Sequence, residues 1–395
     1  MKHRQLSRIL SLKQTPNKIY IIAGEASGDQ IGAKLMWALK ERDASYEFYG
    51  IGGDNMQAAG LKSDFPMQEL SIMGLAEIIP HIRRIVKRIK QTVSHIIAVQ
   101  PVILITIDSS GFTHRVIKRV KKQIKRLNLP YIPSVHYAAP PVWAWRPWRA
   151  KSVAKFLDHL LCLYPFEPPY FTKHGLKTTF VGHPITENHI TIDNQTDNKE
   201  KKILILPGSR TSEIKLLLPT FLEVAQKIYS HQKCQFLLPT LPHLIDNVKA
   251  IIPKGLPVQV TTDFIEKDKM FKKANSAIAA SGTVSLELAQ YQIPHVIAYK
   301  ASTITAFLLK ILVKTRFVAL PNILAHKYIV PELLQGHCRT ENIHEAFQGI
   351  DTNSQRKALK EVFETLYCKQ NDLTPSQYAA QIIENLINEQ SCTST

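Results

Sequence analysis

Cysteine is scarce. Five residues in 395 (Cys162, Cys234, Cys338, Cys368 and Cys392) are scattered, odd in number and never spaced Cys-x-x-Cys. That argues against a disulfide framework or a zinc site and fits a reducing cytoplasm. No Asp-x-Asp pair occurs anywhere, so no bound metal is expected; no other cofactor is expected either. No apolar run reaches the roughly 18 residues of a transmembrane helix. Residues 1–17 are basic without a continuous apolar stretch, so no signal peptide is expected. The expectation is a protein that is soluble or peripheral to a membrane. Acids are also short: 32 Asp+Glu stand against 50 Lys+Arg, a net charge of +18. Such an excess implies an acidic partner: nucleic acid, an anionic membrane surface or phosphorylated substrates. No P-loop, zinc spacing or RNP-like run accompanies it, which argues against nucleic acid.

What is present is alternation. The chain is long enough for two domains and is 45% apolar. Short apolar runs read as buried parallel strands at 18–23, 47–51, 102–107, 131–136, 159–164 and 179–181, with amphipathic helices between. A polar, charged stretch at 185–202 reads as a linker. The pattern then repeats with strands at 203–206, 235–238, 257–261, 276–279 and 295–298. This predicts an α/β chain of two tandem Rossmann-like, doubly wound domains, 1–184 and 203–365. Residues 366–395 read as a C-terminal helix that packs back on the first domain. Pro331–Gln335 reads as a helix start and Leu320–Ala325 as a turn-prone segment.

The stretch Ile203–Ile214 organises the second half. A strand runs into Pro207 and Gly208, then into Ser209, Arg210, Thr211 and Ser212 before an apolar-periodic helix. Unpaired amides at a helix N-terminus, together with the Arg210 guanidinium, suit a diphosphate. An ordinary strand-to-helix turn with a surface Arg is the plainer reading. Ser281-Gly282-Thr283 repeats the strand-to-helix corner, and Glu287, one turn in, is positioned to take both hydroxyls of a ribose. Asn322 and Gln335 are polar among apolar neighbours and suggest directed hydrogen bonds, though Asn322 also fits a role within its own turn.

In the first half, Gly24-Glu25-Ala26-Ser27-Gly28-Asp29 follows the first strand. Glu25 and Asp29 make this loop acidic, so it suits sugar hydroxyls or a proton transfer better than a phosphate; Ser27 or Asp29 equally reads as a helix cap. Asp108 ends the strand 102–107, where ligands collect in open α/β sheets. It reads as a general base or as a helix cap. Along 70–90, Met73 and then Ile78, Ile82, Ile85 and Ile89 recur among Arg83, Arg84, Lys87 and Arg88. This is the pattern of an interfacial anchor, or of a core helix with one solvated face. Three of the four Trp fall within Trp143–Trp148, interleaved with Arg146. Trp143, Trp145 and Arg146 suit a membrane interface, a sugar face or bases; a loop folded onto the core is the alternative.

Seven motifs in order resemble those of the lipid-A-disaccharide synthase family, GT-B glycosyltransferases of Gram-negative bacteria. They are Gly24–Asp29, Gly50–Gly53, Ser71–Leu75, Val142–Arg146, Leu206–Arg210 with Glu213, Ser281–Thr283 with Leu286-Glu287, and Leu320–Ala325. The resemblance covers nearly the whole chain. It implies two domains facing a cleft and an inverting transfer from UDP-2,3-diacylglucosamine to 2,3-diacylglucosamine 1-phosphate (lipid X). The product would be a β-1,6 disaccharide 1-phosphate. It implies Asp108 as base with Glu25 as alternate, and Arg210 with the amides near Ser209 and Thr283 on the leaving UDP. It also implies an enzyme peripheral on the inner face of the cytoplasmic membrane, with a homodimer left open. Two departures stand out. Ser110-Gly111-Phe112 replaces the family's usual Pro-Asp-Phe, and Tyr137-Ala138-Ala139-Pro140 replaces a Ser-Pro pattern. A nucleotide-sugar epimerase of the same architecture and a nucleic-acid-binding protein are the rival readings.

Overall fold

The computed structural model describes residues 17–70, 75–144, 146–188, 190, 200–301, 315–368, 370 and 372–393, excepting the side chains of 75–81 and 391–393. The chain divides into two compact units. One runs to Pro184 and takes in Cys368 onward; the other is Ile185–Tyr367.

The first unit is built on β1 (Lys18–Ala23), β2 (Glu47–Ile51), β3 (Lys62–Ser63), β4 (Ile103–Ile107), β5 (Ser134–Tyr137), β6 (His159–Cys162) and β7 (Lys177–Phe180). Its helices are α1 (Ala26–Arg42), α2 (Asp54–Ala58), α3 (Leu75–Val99), α4 (Ser110–Leu127), α5 (Arg149–Val153) and α6 (Pro168–Thr172). All pairs are parallel, in the order β3-β2-β1-β4-β5-β6-β7. Helices cover the faces, so the central strands are buried throughout: Ile19–Ala23 and Ile103–Ile107 carry no exposed apolar residue. The second unit has β8 (Lys201–Leu206), β9 (Cys234–Pro239), β10 (Val258–Thr261), β11 (Ser276–Ala279), β12 (His295–Tyr299) and β13 (Glu332–Leu334). Its helices are α7 (Thr211–His231), α8 (Ile245–Lys249), α9 (Phe264–Lys273), α10 (Val284–Gln290), α11 (Leu320–Ala325), α12 (Thr340–Gln348) and α13 (Thr352–Glu364). Its order, β10-β9-β8-β11-β12-β13, is again fully parallel. Both sheets are doubly wound, as expected. The last helix, α14 (Pro375–Thr393), packs against α1, where Arg42 pairs with Glu384.

Three local expectations are corrected. Glu332–Leu334 is not the start of a helix but an edge strand, because pairing with β12 at Ile297↔Glu332 outweighs a short, indifferent local preference. Leu320–Ala325 is a helix, with Pro321 in its first turn, where a missing N–H costs nothing. Helix α1 begins at Ala26, so Ser27 and Asp29 lie in its first turn and Glu25 is its N-cap residue. Of the expected linker, 185–187 form a single 3₁₀ turn with Pro184, β8 already begins at Lys201, and 191–199 lie outside the described residues.

The first unit holds four buried imidazoles, His136 and His159 on strands, His114 on α4 and His183 after β7. Burial pulls His114 down to about 2, His136 to about 3, and His159 and His183 each to about 4. In the second unit, burial brings His295 to about 4. A group whose folded pKa lies below its unfolded value near 6.5 takes up its proton on unfolding. Its stabilising contribution is therefore complete above about pH 6.5 and is lost as pH falls toward the folded value. Glu167, which burial lifts to about 8, and Asp108, which burial also raises, work the other way, but they are two groups against four in their unit. Thermal unfolding followed at pH 7.5, 6.0 and 5.0 is therefore expected to show the first unit losing stability before the second. A melting temperature flat over that range would contradict the burial of these rings.

Candidate active site at the two switch points

In a doubly wound sheet the strand order reverses at one place, and the loops leaving the two central strands diverge there. In the first unit that place lies between β1 and β4. Their register pairs Ala23 with Ile107, so the next residues, Gly24 and Asp108, leave the sheet side by side. The two loops touch: a Cβ on Gly24 would stand 2.3 Å from Ser109 Oγ, so only glycine permits the approach. Asp108 and Ser109 both adopt left-handed backbone (φ 51° and 44°), a strained pair on the order of 1 kcal/mol or more per residue. The Asp108 amide donates to Tyr137 O at 3.1 Å, and its carboxylate accepts the Ser109 amide at 2.8 Å. Burial lifts the Asp108 carboxyl above the ordinary carboxylate range, partly offset by that amide. Raising a carboxyl toward neutrality makes it a better proton acceptor in a transition state. Glu25 is half-buried beside this corner, and Ser27 is exposed.

Asp29 is corrected. It is 3% exposed, and both its oxygens are engaged: Oδ1 accepts the amides of Gly53 and Met56, and Oδ2 accepts the amide and side chain of Asn55. It caps α2 and ties the Gly24 motif to the Gly50–Gly53 motif, which leaves no lone pair directed at an acceptor sugar. Trp143 is likewise turned inward. Its indole N–H donates to Glu167 Oε1 at 3.2 Å, and its ring meets Phe166 edge-on at 5.3 Å. The loop folds onto the core, and Trp148 is the exposed ring instead. Trp145 lies outside the described residues, and Arg146 is half-buried with φ 58°. Glu167, which the sequence reading passed over, also accepts the amides of Leu163 and Tyr164 at 3.1 Å and so joins the β5 and β6 loops. A lone acid inside Leu163-Tyr164-Pro165-Phe166-Glu167-Pro168 was the available signal.

Helix α3 splits in two. Ile89, Val93 and Ile96 are buried, at about 2 kcal/mol each, and fix its C-terminal half. His95 Nδ1 lies 2.7 Å from Asp64 Oδ2 and reinforces that docking. Arg88 is corrected as a lipid contact: Nε donates to Glu69 at 2.9 Å and the guanidinium lies 4.4 Å over Phe65, so its charge is spent within the protein. One turn earlier, Ile82 is 54% exposed, Val86, Arg83, Arg84 and Lys87 are exposed, and Ile85 is half-buried. Met73 and the Ile78 side chain lie outside the described residues.

In the second unit the reversal lies between β8 and β11. Leu206 pairs with Ala279, so the Gly208 and Ser281 loops emerge together. The amides expected to be unpaired are not. Glu213 Oε2 accepts Ser209 N at 2.9 Å and Arg210 N at 3.3 Å, and Oε1 accepts Arg210 Nη1 at 3.3 Å. Gly208, at φ 117°, is needed here because a Cβ would meet Glu213 Oε2 at 2.3 Å. The carboxylate caps the helix and orients the guanidinium, whose side chain is 52% exposed. Gly282 and Thr283 are exposed, and the Ser281 hydroxyl reaches Val318 O only at 3.5 Å. Glu287 is bridged by Lys267 at 2.6 Å and is a third exposed, so a ribose would share it with that lysine. One turn before Lys267, Phe264 is 74% exposed and Ile265 is exposed beside it. No periodicity marked these two.

Asn322 is corrected too. It is fully buried; Nδ2 donates to Val330 O and Glu332 Oε1, and Oδ1 accepts the amides of Ile329 and Val330, all at 2.8 Å. Its hydrogen-bonding capacity is used in holding α11 to the chain before β13, with Glu332 also accepting the Val318 and Ala319 amides. Gln335, at φ 51°, has Oε1 on the Ala301 amide at 3.3 Å.

Comparison with known proteins agrees with this geometry. Residues 19–385 match the family described as lipid-A-disaccharide synthetase. The chain is 38% identical over 391 residues to the lipid-A-disaccharide synthase of Rhodospirillum centenum, covering 95% of this chain and 96% of that protein. It is 42% identical over 355 residues to that of Paramagnetospirillum magneticum, covering 87% and 90%. The glycotransferase of kitacinnamycin shares the fold at a TM-score of 0.61 and 13% identity, over 94% of this chain and 99% of that one. Two Rossmann-like units and a match along nearly the whole chain make this protein a member of the lipid-A-disaccharide synthase family, GT-B glycosyltransferases that form the lipid A disaccharide.

Proposed function

We propose an inverting displacement in which residues of the second unit bind UDP-2,3-diacylglucosamine and residues of the first activate lipid X. Asp108 takes the proton of the acceptor 6-hydroxyl as that oxygen attacks the anomeric carbon. The bond from that carbon to the diphosphate breaks, the new carbon–oxygen bond forms, and UDP departs with the electron pair. Arg210 meets the charge that develops on the diphosphate. Phe264 and Ile265 offer an apolar face for the base ring, one turn from Lys267 and Glu287. Glu25 stands as the alternate base. The observation that carries this reading is the register of β1 with β4, which sets a half-buried, elevated carboxyl beside the Gly24 loop at a ligand-binding edge. The direct test is UDP release by the purified enzyme with donor alone and with donor plus lipid X. Release that depends on lipid X supports transfer; release or epimer formation without it sinks the mechanism.

The finer reading includes the membrane. No helix among the described residues is long and apolar enough to cross one. Docking would fall to the N-terminal half of α3, with Ile82 and Val86 in the interface and Arg83, Arg84 and Lys87 on lipid phosphates, each basic group contributing about 1 kcal/mol. Replacing Ile82 and Val86 by Ser is expected to release the enzyme from vesicles containing anionic lipid. The melting temperature should hold, because exposed side chains contribute little to the core. High salt should weaken wild-type binding by screening. Wild type that ignores such vesicles, or a double variant that melts far lower, counts against docking here.

A further inference from the structure

Arg149 opens α5, in the stretch that follows β5 at the carboxyl edge of the first sheet. Its guanidinium is half-buried, yet it has no hydrogen bond or ion pair among the described residues. A charge drawn partly out of water is costly unless something pairs with it. Its charged neighbours make this worse, since both are cations. The Arg149 amide donates to Arg146 O at 3.0 Å, which holds the two residues in one turn. Arg115 curls back over the start of α4, Nη1 donating to Gly111 O at 2.7 Å. Like-charge repulsion from Arg146 and Arg115 adds to burial in lowering the Arg149 pKa, and no carboxylate among the described residues opposes it.

The end of α4 that this cluster overlooks is also unbalanced. Its first turn contains no acid, and Ser109 makes no side-chain cap. A Cβ built on Gly111 would meet nothing within 4 Å, so the space beside that turn is open. Phosphate and carboxylate groups complement such an arrangement, and a planar guanidinium fork recognises a phosphomonoester in two-pronged fashion. Asp108 lies two residues before Ser110, the first residue of α4. A ligand whose hydroxyl reaches Asp108 can therefore carry an anionic group to the same helix end.

We infer that Arg115, Arg146 and Arg149, with the start of α4, form a phosphomonoester subsite that takes the 1-phosphate of the acceptor sugar. The inference rests on the reading of Asp108 as the acceptor's base and adds what selects the acceptor. The subsite acts on affinity and orientation and makes no bond.

The test compares two acceptors, 2,3-diacylglucosamine 1-phosphate and the same sugar without its phosphate, in wild type, Arg149→Met and Arg115→Ala. Methionine retains the apolar stem and removes only the charged fork. Wild type is expected to prefer the phosphorylated acceptor in kcat/KM. Arg149→Met should lose about 30-fold with that acceptor, as for a charge-assisted hydrogen bond, and little with the other, so that the preference collapses. UDP binding by calorimetry should stay at the wild-type value. Arg115→Ala, at an exposed position, should move the preference in the same direction and stands in if Arg149→Met does not fold. Preference unchanged in the folded variants overturns the inference. So does loss of binding to anionic vesicles with preference intact, which would assign the cluster to lipid headgroups. A wild type that turns over both acceptors equally removes the subsite but leaves the glycosyl transfer standing. A wild type that makes no disaccharide removes both.

Discussion

Asp108→Asn is expected to bind UDP as wild type does and to lose glycosyl transfer, with kcat down about 10³-fold. The substitution is nearly isosteric. Its Oδ1 still accepts the Ser109 amide, and Asn tolerates the left-handed backbone that Asp108 and Ser109 adopt, so the corner keeps its shape. What vanishes is the ability to accept a proton. The alternative role, fixing the start of α4, makes the opposite forecast, because Asn serves a helix end almost as well as Asp. Calorimetry with UDP and turnover at saturating lipid X separate the two. Activity within a few-fold of wild type would move the base to Glu25, the other acid at this switch point.

Arg210→Ala is expected to lower kcat by about 100-fold or more, the scale of removing a donor aimed at developing charge. The backbone amides of residues 209 and 210 remain on Glu213, so α7 should still begin where it does and the melting temperature should change little. The carboxylate of Glu213, however, loses its counter-charge and stands opposite the departing diphosphate. The loss should therefore exceed that from a solvated arginine such as Arg119→Ala measured beside it. Turnover within a few-fold of wild type would remove Arg210 from the site.

The architecture was legible because parallel strands covered on both faces are short apolar runs, and all eleven expected strands lie within a few residues of where they form. The motifs were legible as positions, since Gly24, Asp108, Gly208 and Ser281 all fall where a strand ends. Their neighbours' roles were not. Asp29 is spent on backbone amides up to 27 residues away and Asn322 on amides 7 and 8 residues away, which no local pattern reveals, whereas Glu213 takes the amides three and four residues before it in a local cap. Trp143 looked like an interfacial ring because Arg surrounds it, but a buried acid 24 residues later turns it inward. Glu332–Leu334 was misread because an edge strand is created by the neighbour it pairs with. The exposure of Phe264 and the lack of a partner for the Arg149 guanidinium among the described residues are properties of a surface and exist only once the chain is folded.

The most direct test of a single in-line displacement is the stereochemistry of the product. Incubating the enzyme with UDP-2,3-diacylglucosamine, α-linked at its anomeric carbon, and lipid X should yield one disaccharide 1-phosphate per UDP. Proton NMR should show a β-configured linkage to the 6-hydroxyl. An α linkage, or a covalent glycosyl-enzyme trapped before the acceptor is added, would mean two displacements and would contradict Asp108 acting as base in a single step.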